Sequence, residues 1–269
     1  MTYDYVLYEV DGPVATIWQN RPQQRNAQNE QMLDELNDAV LRAGRDPEIR
    51  AVVLSGKGGH FSAGHDLKEG QIKRQDFTPE ERWAYESRSY MDYCMNIFNL
   101  PKPTIARVEG ACIAGAFMVA NMCDMIVASE EAFFADPVLH TMAVSAVEVL
   151  VHPWVMGSRK AREFLFTGEP MQAKDALECG MVNRVVPAAE LDDAVHTLAY
   201  RVAQAPPFAT AVLKKSLNRT LETQGFGVAL SAHFDSHQLT HFSEEAARGK
   251  ADGGFSNSIT RNKVGTSVQ

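Results

Sequence analysis

Two short runs near the start of the chain, YVLYEV and VATIW, alternate apolar and polar residues around Asp11-Gly12-Pro13. Period-two alternation marks half-buried strands, and Asp-Gly accepts the positive φ of a tight turn, so a hairpin is expected. After the polar loop RPQQRNA the period changes. Met32, Leu33, Leu36, Val40 and Leu41 fall on one face at helical spacing. AVVLSG (51–56) reads as a buried strand, followed by the glycine-rich turn KGGHFSAGHDLKE. From Thr78 the pattern is helical: Thr78 caps, Pro79 suits the first turn, and Glu81 completes a capping box. This helix is expected to stop near Leu100, before Pro101 and Pro103. TIARVEG and DMIVAS read as strands on either side of a short helix. Beyond Phe134 helices dominate: one ends at Gly180, VNRVV is the last strand, and helices follow over 189–205, 207–223 and 226–248. The polar tail from Gly249 is expected to be loose.

Strands interleaved with helices predict an α/β fold, with a helical appendage. The best boundary is Pro206-Pro207, giving a core of 1–205 and a C-terminal region of 206–269. With 269 residues, 45% of them hydrophobic, the chain can bury a substantial core. A net charge of −8 gives no support to nucleic-acid or anionic-membrane partners. The N-terminus lacks the basic and apolar regions of a secretory signal, and no apolar run reaches membrane-spanning length. The four cysteines form no zinc spacing, so reduced, mostly buried thiols in a cytoplasmic protein are expected.

Several familiar chemistries are absent. No GxGxxG follows the first strand, GKGGHFS lacks the P-loop order, and there is no GxSxG elbow. His233, His237 and His241 are spaced four apart on one predicted helix. At about 1.5 Å rise per residue, successive members sit about 6 Å apart, so three ligands from one straight helix do not converge easily on an ion. No metal is expected, and the stripe reads as the polar face of a packed or subunit-facing helix. His60 and His196 read as ordinary surface or loop residues. The remaining signal is a pair of glycine-rich turns, FSAGHDLKE and GACIAGAF, each following a strand. Two outward backbone N–H groups aimed at one spot would form an oxyanion hole, although sequence alone does not show that they converge.

RPQQRNA, FSAGHDLKE, KPTIARVEGACIAGAFMVANMCDM and FLFTGEPMQAKDALECGMVNRVVP, in this order and spacing, resemble the crotonase family, the enoyl-CoA hydratase/isomerase group. The resemblance covers nearly the whole chain. It implies a spiral of ββα turns with a C-terminal helical trimerisation region, acyl-CoA substrates, a homotrimer or dimer of trimers, and no cofactor beyond the coenzyme A of the substrate. Carried over by position, the oxyanion donors are the backbone N–H groups of His65 and Gly115. The Ala63 carbonyl matches the position that meets the CoA adenine, and Lys68 a basic position near the CoA phosphates. The His65 side chain stands where the family varies, so the resemblance claims only its amide.

The chain departs from that pattern at the chemistry. The two glutamates that handle protons in hydratases fall at Met118 and Val138 here, and a third position, an aspartate in a related dehalogenase, is Ala146. Nearby ionisable candidates are Asp136, His140 and Glu148, the last in an expected helix lining the pocket; His152 lies further along. Met118, Val138 and Met142 are expected pocket walls. Three readings follow: a hydratase or isomerase relative with a displaced acid/base, a thioester or C–C bond hydrolase of the same fold, and a non-catalytic acyl-CoA-binding member.

Overall fold

The structure is a computed structural model that describes residues 2–251. Strands β1 (Val6–Asp11) and β2 (Val14–Gln19) form the antiparallel hairpin, and helix α1 (Glu30–Arg45) follows. Asn29 caps α1 through Met32 N, and Met32, Leu33, Leu36 and Val40 are buried as their spacing requires. Strand β3 (Ala51–Gly56) is buried throughout and pairs in parallel with β2. FSAGHDLKE is not wholly a turn: Asp66 accepts from Glu69 N and starts α2 (Leu67–Arg74).

The predicted capping box at Thr78 and Glu81 is present at the head of α3 (Pro79–Glu86). The helical stretch ends at Phe98 as α4 (Tyr93–Phe98), but between α3 and α4 residues Ser87–Asp92 wind as a π-turn. Strands β4 (Thr104–Val108) and β5 (Ala111–Ile113), helix α5 (Gly115–Asn121) and strands β6 (Met125–Ser129) and β7 (Phe133–Ala135) come next. Short helices α6 (Val138–Met142), α7 (His152–Met156), α8 (Ser158–Thr167) and α9 (Ala173–Glu178) lead past the two-residue strand β8 (Met171–Gln172) to β9 (Arg184–Val186). Helices α10 (Leu191–Ala203), α11 (Pro207–Thr223), α12 (Phe226–Thr240) and α13 (Glu244–Ala251) end the described chain.

The main sheet has the order β1-β2-β3-β4-β6-β9 and a smaller sheet the order β5-β7-β8. Beyond the hairpin, the main sheet is parallel, so its strands are covered on both faces. On one face Leu191, Val195, Leu198 and Ala199 of α10 pack on Val14, Ala51, Val53, Ile105 and Val127. The other face carries the larger core, which includes α1, α4 and α5. The α/β architecture agrees with the expectation.

Two expectations fail locally. The helix expected over 226–248 breaks after Thr240, because Ser243 recaps the chain: its Oγ accepts from Ala246 N and its carbonyl from Ala247 N. Glu148 sits in an irregular bend rather than a helix, where Ala143 and Ala146 take positive φ values of 53° and 51°. All four cysteines are free, and Cys94 and Cys112 are buried. The tail after Ala251 lies outside the described residues. No described helix is long and apolar enough to cross a membrane. Phe208, Val212, Leu213 and Leu217 leave an exposed apolar stripe along α11.

Candidate functional site

The loop after β3 and the segment after β4 leave the carboxyl ends of adjacent parallel strands, where ligand crevices form in open α/β sheets. They are stitched together. Ser62 N donates to Ala111 O and Ile113 N to Ser62 O, while Ser62 Oγ donates to Asn26 O. Asn26, from RPQQRNA, holds the carbonyls of Lys57 and His60. Arg21 from the same segment pairs with Asp66 at 2.9 Å. Gly64 (φ +87°) lies so close to the second segment that a Cβ would stand 2.5 Å from Ile113 O and 3.3 Å from Gly115 N. Among the described residues, neither the His65 N–H nor the Gly115 N–H has a protein acceptor. The predicted donors are thus brought together with their amides unpaired. Ala114, at φ 49° and ψ −110°, takes the strained turn that opens α5 at Gly115.

The imidazole of His65 joins this site as well, which the family pattern does not foretell. Its ring lies against Gly115, where a Cβ would come within 2.3 Å of His65 Cε1. On one side it stacks on Tyr90 of the π-turn, with ring centroids 3.8 Å apart. Nε2 stands 3.4 Å from Glu148 Oε2. Nδ1 is buried without a protein partner. A neutral ring with Nε2–H toward Glu148 therefore keeps a free lone pair on Nδ1. The surrounding cavity is lined by Leu33, Leu36, Tyr90, Cys94, Gly115 and Met118, among others.

Met118 occupies the position of the family's first glutamate, fully buried, and its Sδ accepts from Val149 N at 3.1 Å. This contact anchors the bend that carries Glu148. Burial works against charge on Glu148, but the imidazoles of His65 and His237 outweigh it and hold the carboxyl well below its ordinary range.

Behind Glu148 lies the histidine stripe. His233 turns aside, its Nε2 2.8 Å from Val147 O. His237 and His241 instead face each other across one turn, with Nε2 atoms 3.0 Å apart. Glu86 at the end of α3 completes a buried group, 3.6 Å from His237 Nε2 and 3.8 Å from His241 Nε2. His237 also approaches Glu148 Oε1 at 3.7 Å. Burial favours the neutral form of His241 and holds it down to about 4. Burial pulls His237 the same way, but Glu86 and Glu148 raise it above its ordinary value.

The other candidates lie elsewhere. Asp136 is buried, but its oxygens accept from Val138 N and Val147 N, which makes it a brace for the bend. His152 stands 3.3 Å from Asp136, stacked on Phe117 and away from the cavity lining. His140 is exposed, with Nε2 2.9 Å from Phe166 O. Among the expected walls, Met118 lines the cavity whereas Val138 and Met142 do not. Ala63 is half-buried two residues before His65, and Lys68 is exposed on the first turn of α2. Glu86, Tyr90 and the His65 ring escaped the sequence reading. The one available signal was the four-residue spacing of His237 and His241, which marks two imidazoles on one helix face.

Comparison with known proteins shows which family the chain is similar to. The profile described as enoyl-CoA hydratase/isomerase matches residues 9–255. A Mycobacterium tuberculosis protein named EchA13, a candidate enoyl-CoA hydratase, is 39% identical over 258 residues, covering 89% of this chain and 81% of its own. The crystal structure of an enoyl-CoA hydratase/isomerase from Xanthobacter autotrophicus superposes with a TM-score of 0.91 at 35% identity, covering 99% of this chain and 100% of that one. That of a probable enoyl-CoA hydratase from Mycobacterium smegmatis gives 0.84 at 44% identity, covering 90% and 95%.

Proposed function

The chain belongs to the enoyl-CoA hydratase/isomerase family, and we propose that it transfers protons on the acyl part of an acyl-CoA thioester through an oxyanion-stabilised enolate, with His65 as the proton carrier. The observation that carries this reading is the His65 ring itself. It is stacked on Tyr90, tied to Glu148 through Nε2, and has a buried unpartnered Nδ1 against Gly115.

The chemistry follows from these groups. The thioester oxygen accepts from the His65 and Gly115 N–H groups. The Nδ1 lone pair removes a proton from the acyl chain, electrons move onto the thioester oxygen, and the resulting enolate is held by the two amides. The imidazolium shares its Nε2–H with the Glu148 carboxylate, which orients the ring and offsets its charge. Returning the proton at another carbon shifts the double bond; in hydration the lone pair instead takes a proton from water as its oxygen adds to the β-carbon, and delivers it to the α-carbon of the enolate so formed. Met118 and Val138 leave the two usual glutamate positions without an acid. A single imidazole–carboxylate pair therefore suits a proton shift better than two-glutamate water addition. The Ala63 carbonyl and Lys68 are assigned to the CoA end, and residues 206–269 to homotrimer formation through the exposed α11 stripe.

The same pair would also activate water against the thioester, which is the specific observation favouring a hydrolase as the second reading. Incubation with crotonyl-CoA and a panel of longer, β,γ-unsaturated and branched acyl-CoAs separates the two. A shifted double bond or hydrated product supports the first reading, and free thiol release the second. Tight acyl-CoA binding with no turnover of any panel member sinks both and leaves a binding protein.

A further inference from the structure

We propose that Glu86, His237 and His241 form a buried binding site for one divalent cation of the zinc class. These residues bring one ligand atom each to within 4.8 Å of one another, and all three are buried. The site goes beyond the thioester chemistry above and does not depend on it.

Three features carry the assignment. The first is the separation of the ligand atoms. The edges of the triangle are 3.0 Å between the two Nε2 atoms, and 3.6 and 3.8 Å from these to Glu86 Oε2. A tetrahedral zinc with bonds of about 2.0–2.1 Å spaces its ligands by about 3.3–3.4 Å, so small adjustments close the triangle on one ion. His237 and His241 stand four apart, on one face of the helical segment, the spacing by which one helix presents two imidazoles to a metal. The third ligand comes from a different helix, which removes the objection that one straight helix cannot surround an ion.

The second feature is the set of contacts behind the ligands. His237 Nδ1 faces the carbonyls of Ala146 at 3.1 Å and Ser145 at 3.3 Å. Those acceptors keep the ring hydrogen on Nδ1 and leave Nε2 to present a lone pair to the group. Glu86 Oε1 accepts from Arg82 at 2.8 Å and Oε2 from Gln238 at 2.6 Å. The carboxylate is therefore held in place, with a lone pair of Oε2 still available. Ligands positioned by outer partners in this way are the ordinary construction of a metal site.

The third feature is what fills the space between the ligand atoms. Two imidazole nitrogens 3.0 Å apart in a buried place need a hydrogen or a cation between them. A shared proton meets that need for the nitrogen pair alone and leaves Glu86 outside hydrogen-bond distance of both rings. A cation meets it for all three atoms. Imidazole and carboxylate donors suit zinc and its first-row neighbours rather than calcium or magnesium. Glu148 Oε1, 3.7 Å from His237 Nε2, flanks the same group.

The test is metal content. The full chain is purified without a polyhistidine tag, saturated with zinc, dialysed, and analysed by mass spectrometry for metal per chain. About one zinc per chain is expected. Cobalt loading is expected to give the intense visible absorption of a four-coordinate site. Both signals are expected to vanish in His241→Gln and Glu86→Gln and to persist in His233→Gln, whose imidazole faces away. Wild-type protein retaining less than about a tenth of an equivalent overturns the site and leaves a proton shared by the two histidines. Equal zinc in His241→Gln and wild type overturns it too. The wild-type measurement stands even if a variant fails to fold.

Discussion

His65 Nε2 lies 3.4 Å from Glu148 Oε2 across 83 residues of chain, with the opposite ring nitrogen buried and unpartnered. In the proposed division of labour the ring would move the proton and the carboxylate would hold the ring. His65→Gln keeps the backbone donor and removes the base. It is expected to lower kcat about 10²–10⁴-fold on whichever acyl-CoA turns over best. Glu148→Gln is expected to cost less, about 10–10², since the ring remains. Wild-type kcat in His65→Gln removes the imidazole from the mechanism.

Gly115→Ala places a methyl 2.3 Å from His65 Cε1, inside any van der Waals contact. The ring must shift from its stack on Tyr90, and the Gly115 N–H, the proposed second oxyanion donor, shifts with it. Turnover is expected to fall about 10²–10³-fold, while far-UV circular dichroism stays as in wild type. Unchanged turnover with intact fold would show that the ring and the amide do not act at this place.

Met118→Leu keeps the volume but loses the acceptor for Val149 N. The stranded buried N–H is expected to cost about 1–3 kcal/mol in urea unfolding. Turnover should fall as well, because the bend that presents Glu148 loses an anchor. A variant with both unchanged would separate Met118 from the placement of Glu148.

Asp66 supplies the pH-dependent case. Burial works against its charge, but the Glu69 N–H and the Arg21 guanidinium outweigh burial and lower its carboxyl. A depressed folded pKa contributes stability that is fully present above the unfolded value, about 3.9, and lost as pH falls through the folded one. Wild type is therefore expected to exceed Asp66→Asn in urea midpoint at neutral pH. The gap should shrink below about pH 4. A gap that widens in acid would contradict the Arg21–Asp66 assignment.

The chain displays its local structure openly and its site only in part. The hairpin at Asp11-Gly12, the α1 stripe, the box at Thr78 and Glu81, and α11 follow from neighbours within a few turns of sequence. The two amide positions were expected from the family resemblance carried by the glycine-rich segments, not from the segments alone. The setting of the His65 ring was not, since Tyr90, Glu148 and Gly115 reach it from distant segments. The neighbour of the histidine stripe was hidden for a related reason: Glu86 lies far earlier in the chain and faces His237 only because α3 packs on α12. Asp136 and His140 drew attention as ionisable residues near the old acid positions, but one is consumed by backbone N–H groups and the other is an exposed residue held to the Phe166 carbonyl.

The π-turn at Ser87–Asp92 changes what an insertion means in this protein. In an α-helix, residues five apart stand about 140° around the axis from each other. In the wider winding Tyr85 and Tyr90 return to one side, with ring centroids 5.5 Å apart in an edge-to-face pair. The wider turn acts as a frameshift in side-chain register. Upstream of it the helical segment addresses the His237–His241 pair through Glu86, and downstream it addresses His65 through Tyr90. Deleting one residue there would yield a more regular helix, with Tyr90 rotated off the ring that it supports.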